Sequence, residues 1–111
     1  MQNLEGIKNR FLKNNLAMRL GCIASDLARL KSFSEMPNNQ KAIRDLIEES
    51  KLFIEWTAPQ ASLNVQEELI NLQLQLAMKG YSFKRKEIIK FAAKWSKKVL
   101  ELSGLIKRGN Q

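Results

Sequence analysis

Five carboxylates come closest to a chemical constellation: Asp45, Glu48 and Glu49 in one cluster, and Glu67 with Glu68 in another. Acidic pairs on facing helices can hold Mg²⁺, a hard cation that takes oxygen ligands. Helical sites of this kind use two Glu-x-x-Glu or Glu-x-x-Asp pairs. Here only Asp45-x-x-Glu48 approaches the spacing, and no second pair follows. When each residue is turned by about 100°, Asp45, Glu48 and Glu49 point away from Ile43, Ile47 and Ile54, hence toward solvent. Glu67 and Glu68 suit the positive end of a helix dipole. A solvated face is the expected reading, and Mg²⁺-dependent activity through Asp45, Glu48 and Glu49 is the minor alternative.

The composition removes most other chemistry. The chain has no histidine, so Ser-His-Asp and Cys-His arrangements, His-containing zinc sites and the Glu-x-x-His di-iron motif are all absent. A single cysteine, Cys22, can form neither a Cys₄ site nor an internal disulfide, and a reducing cytosol is the default compartment. Free cysteine is among the most buried residue types, so packing is its expected role. Gly104 and Gly109 have the glycine spacing of a phosphate loop but lack the Lys-Ser/Thr that follows. No catalysis, cofactor or metal is expected.

The elements that position these residues are helical. At 111 residues, 44% apolar and 27% charged, with two prolines and five glycines, the chain suits one soluble helical domain over residues 1–111. No segment approaches the ~20 apolar residues of a membrane span, and the N-terminus lacks a secretory h-region. Leu16, Leu20, Ile23, Leu27 and Leu30 recur at spacings of four and three, one face of a first helix. Leu4, Ile7 and Phe11 lie on a different face, which continues to Met18 and Cys22. Either this helix is long with two apolar faces, or it breaks near Asn14–Asn15.

Pro37, Asn38 and Asn39 mark a loop. A second helix carries Ile43, Leu46, Ile47, Ser50, Phe53 and Ile54 inward and should stop at Ala58, before Pro59. Ser62 or Asn64 opens a third, with Val65, Leu69, Leu72 and Leu76 as its core stripe and Gly80 as its expected stop. Ser82 is the expected cap of a fourth, whose inner face is Ile88, Ala92, Trp95, Val99, Leu102 and Ile106. Short loops favour antiparallel neighbours, so the expected fold is all-α, a four-helix up-down-up-down bundle. Ala17, Gly21, Ala24 and Ala28 form a small-residue flank that lets a neighbouring helix approach closely.

Net charge is +8, and the segment from residue 82 onward carries nearly all of the excess. Lys86, Lys90, Lys94, Lys97 and Arg108 gather opposite the inner face of the last helix, with few glutamates among them. Like charges four apart cost about 0.2–0.5 kcal/mol per pair, which an anionic partner would convert into binding. Trp95 lies inward by phase and offers no stacking platform to nucleic acid bases.

Other surfaces carry surplus apolar residues. Leu63, Ile70, Leu74, Ala77 and Tyr81 gather on the outer side of the third helix, and a helix apolar on two sides must be buried on two sides. Leu52 and Trp56 point away from the core side of the second helix. The expected function is a small cytoplasmic, non-catalytic interaction or adaptor protein that self-associates, expectedly as a dimer. Its candidate interface residues are Leu52, Trp56, Ile70, Leu74, Tyr81, Ile7, Phe11 and Met18. The alternative is non-sequence-specific nucleic-acid binding through the basic face.

Overall fold

The computed structural model describes residues 3–81 and 84–105, the side chains of 79–81 excepted. Five helices appear: α1 (Leu4–Leu12), α2 (Leu16–Ser34), α3 (Gln40–Thr57), α4 (Leu63–Tyr81) and α5 (Arg85–Ser103). No strand occurs among the described residues. The fold is therefore all-α as expected, with five helices where four were expected.

The difference arises at Asn14–Asn15. Asn3 caps α1, its Oδ1 accepting from the Gly6 amide at 3.1 Å. The chain then turns, and Asn15 Oδ1 accepts from the Met18 amide at 2.9 Å to start α2. An asparagine side chain that satisfies a first-turn donor competes well with helix continuation. Once the helix is broken, the two apolar faces no longer share one cylinder, and each can meet its own neighbour.

The other boundaries follow local chemistry. Asn38 takes a left-handed φ of 64° between α2 and α3, a conformation asparagine tolerates better than most residues. Pro59 ends α3 through a 3₁₀ turn over Ala58–Gln60. Ser62 Oγ accepts from the Val65 amide at 3.4 Å, at the start of α4. Helix α4 runs past Gly80 to Tyr81, since an interior glycine costs a helix only about 1 kcal/mol. Ser82 lies outside the described residues. Gly104, at φ 76°, closes α5.

Helix α2 is the central element. Its Leu20, Ile23, Leu27 and Leu30 are fully buried together with Leu69, Leu72 and Leu76 of α4 and Ile88, Ala92, Trp95 and Val99 of α5. Helices α2 and α5 run antiparallel. Arg85 Nε donates to Ser34 O at 2.5 Å at one end, and Leu105 sits beside Gly21 at the other. Their close approach uses the small-residue flank of α2. An added Cβ on Gly21 would stand 2.9 Å from Leu105 Cδ1. Lys98, late in α5, pairs with Glu68, early in α4, at 2.9 Å.

Candidate interaction surfaces

The outer face of α4 is bare. Leu63 (71%), Ile70 (54%), Leu74 (62%) and Met78 (69%) are all more than half exposed. They share one side because residues four and seven apart stack along a helix. The opposite side, Leu69, Leu72 and Leu76, is fully buried. From Leu63 to Met78 the helix has no Lys or Arg, and its flanks are amides such as Asn64, Gln66, Asn71 and Gln75. Ala77 is half-buried. The Tyr81 side chain lies outside the described residues. Met78 was not among the residues expected here, although it stands one turn beyond Leu74 and the same spacing rule reaches it.

The apolar face of α1 is used within the chain. Phe11 is buried and stacks on Phe53, ring centroids 4.2 Å apart. Trp56 is half-buried against both rings at 5.9 Å, and Lys8 Nζ stands 5.8 Å from its centroid. Ile7 is half-buried and Met18 exposed. Leu52 and Trp56 line an opening of about 430 Å³ between α1 and α3, together with Leu4, Ile7 and Phe53.

Asp45, Glu48 and Glu49 of α3 all line that opening, each with a different partner. Asp45 pairs with Lys41 at 2.9 Å and Glu48 with Lys51 at 3.0 Å, while Glu49 turns toward Asp26 of α2. Among the described residues, no three His, Cys, Asp or Glu side chains stand close enough together to hold a metal ion.

Asp26 was not anticipated as a special residue. It is 1% exposed; Arg29 holds its Oδ1, and its Oδ2 has no hydrogen-bond donor. Burial pushes its carboxyl up to about 7, helped by a hydrogen bond to Glu49 and that neighbour's charge, with Arg29 opposing. A proton on Asp26 supplies the missing donor between the two acids. Burial also pushes the Cys22 thiol up, reinforced by the charges of Asp26 and Glu49, and a thiol held protonated is a poor nucleophile.

Arg19 is a second unforeseen polar centre. Buried at the start of α2, its Nε donates to Asn14 O at 2.8 Å and its NH2 to Leu12 O at 2.7 Å. Its NH1 donates to Gln60 Oε1. One guanidinium thus satisfies carbonyls after α1 and ties them to the turn after α3. Only tertiary contact could reveal this, because by phase Arg19 looks like one more polar residue.

On α5, Lys86, Lys90, Lys94 and Lys97 are exposed, and among the described residues none of them forms an ion pair. Lys98, on the α4 side, has Glu68. Trp95 is 1% exposed. Arg108 lies outside the described residues. No described helix is long and apolar enough to cross a membrane. No family model, curated protein or solved structure matches the chain.

Proposed function

We propose that the chain is a small, self-associating interaction protein of the cytoplasm, without catalytic activity. In this reading α2–α5 form an up-down-up-down four-helix bundle that α1 straps, and α4 is the self-contact. The observation that carries it is the exposed Leu63–Ile70–Leu74–Met78 stripe on a helix free of cations from 63 to 78. Interface centres are depleted in charge. On a chain of net charge +8, this face carries no Lys or Arg, and exposed Glu67 is the charge that stands within it. A 19-residue helix is about 28 Å long. Its single face buries less than the ~800 Å² per partner of a stable complex, so the association is reversible.

Sedimentation over a wide concentration range tests this. A monomer–dimer equilibrium is expected, abolished by Ile70→Glu or Leu74→Glu with the fold intact. A concentration-independent wild-type monomer overturns it.

A second reading rests on the unpaired lysines of α5. Lys86, Lys90, Lys94 and Lys97 offer phosphates a row of cations without base-reading aromatics, so such binding would be sequence-indifferent and strongly salt-dependent. Binding to generic duplexes that ignores Lys-to-Glu reversal at 86, 90 and 94 removes it.

A further inference from the structure

The apolar and basic features of the chain meet in a groove between α2 and α5. It has a volume of about 370 Å³ and is lined by Gly21, Ala24, Ser25, Ala28, Ser96, Lys97 and Leu100. Its α2 side is made of small residues. The only charged α2 residue between Gly21 and Ala28 is Asp26, which is buried and turned to α3.

On the α5 side, residues four and seven apart stack along the helix. Lys90 and Lys86 therefore extend the rim that Lys97 begins, while Ala93 and Ile89 extend the apolar wall that Leu100 begins. Between Lys86 and Lys97 neither extension meets a carboxylate. One turn past Lys97 the lysine row ends at Glu101, and at the end of α2 the wall past Ala28 reaches Glu35, which Lys31 holds at 3.1 Å. Beside Gly21, at one end of the groove, the half-exposed Leu105 side chain lies with its Cδ1 2.9 Å from the position of an added Cβ.

We propose that this groove docks an acidic amphipathic helix of another protein. Gly21 to Ala28 spans about 10 Å, two helical turns, enough for two aliphatic anchors one turn apart. Flanking Asp or Glu side chains of the ligand would reach Lys86, Lys90 and Lys97. Phosphates alone leave the apolar floor unused, which favours a peptide over nucleic acid. A second copy fits poorly, because Asp45 and Glu48, on its most acidic helix, are held by Lys41 and Lys51. Helix α4 does not line the groove, so this docking is independent of self-association.

The probe is a displayed library of helical peptides of about four turns, selected on the full chain at low salt. The expected pool is acidic, with aliphatic residues four apart. A synthetic member should lose at least tenfold in affinity to Ala28→Trp, which fills the groove without adding charge. The Lys90→Glu, Lys97→Glu double variant should lose as much. Should Ala28→Trp fail to fold, Ser25→Glu on the exposed rim replaces it, with the same loss expected. The proposal is overturned if no acidic amphipathic sequence is enriched, or if selected peptides bind these variants as tightly as wild type. It is equally overturned if the groove variants abolish self-association, which would assign the groove to a second copy. A duplex that binds through the lysines, ignores Ala28→Trp and has no peptide competitor would assign the rim to phosphates instead.

Discussion

Phe11 lies face to face with Phe53, the ring planes only 7° from parallel, and it is the one buried residue of α1. The docking of α1 is thus concentrated at its C-terminal end, in one aromatic stack backed by Trp56 and by the bonds that Arg19 makes to Leu12 and Asn14.

Phe11→Ala should therefore release α1 and leave the other helices folded. Truncation of a buried phenylalanine costs about 3–5 kcal/mol, and here the loss is capped by the undocking of one short helix. Hydrogen exchange should show residues 4–12 unprotected while α2 and α5 keep their protection. Trp56 emission should shift to the red as the ring beside it leaves. Global unfolding of this variant would show that α1 is integral to the core and not a strap.

Asp26 sets a pH dependence with a definite sign. Its carboxyl titrates near 7 in the folded protein, against 3.8 ordinarily. Between those values the folded chain holds a proton that the unfolded chain has released. Stability is then fully present below the lower value and is lost as pH rises through about 7. Asp26→Asn should remove that slope, because its amide can donate to Glu49 while its carbonyl accepts from Arg29. Chemical denaturation at mildly acidic and mildly alkaline pH is the measurement. The variant should be the more stable protein on the alkaline side, and parallel profiles for the two proteins would refute the shared-proton arrangement.

Two glycines should respond oppositely to alanine. Gly21 is interior to α2, where alanine favours the helix by about 1 kcal/mol. Among the described residues, the atom near its new Cβ is the tip of the half-exposed Leu105 side chain, which can swing aside. Gly21→Ala should stabilise by about 0.5–1 kcal/mol. Gly104, at φ 76° with nothing within 4 Å among the described residues, suffers from conformation. Gly104→Ala should cost about 1 kcal/mol. Thermal melts that moved both variants in one direction would contradict this account.

The phase of apolar residues made much of the architecture legible. Ile43 to Ile54 and Ile88 to Val99 alternate by four and three, and those residues are the buried ones. The small-residue flank of α2 likewise indicated a close helical neighbour, which is α5. At Asn14–Asn15 the sequence allows either a break or a continuous helix, because an asparagine can sit within a helix or cap the next one. Which holds depends on whether Phe11 has an aromatic partner elsewhere. The outer stripe of α4 was readable except for Met78. Arg19 and Asp26 were not readable, since a polar residue on the flank of a helix becomes buried only when a particular neighbour arrives. The groove escaped for the same reason: half of it is on α2 and half on α5.

That pairing of α2 with α5 has a consequence for how the chain is made. Ser34 and Arg85 touch although 51 positions separate them, so loop closure must precede the contact. Translation adds roughly 5–20 residues per second, and α5 is the last of the five helices to emerge. Until it does, Leu20, Ile23, Leu27 and Leu30 have only α3 and α4 to cover them. The nascent chain must keep that stripe from other apolar surfaces for several seconds, and the native core can form only after α5 has cleared the ribosome.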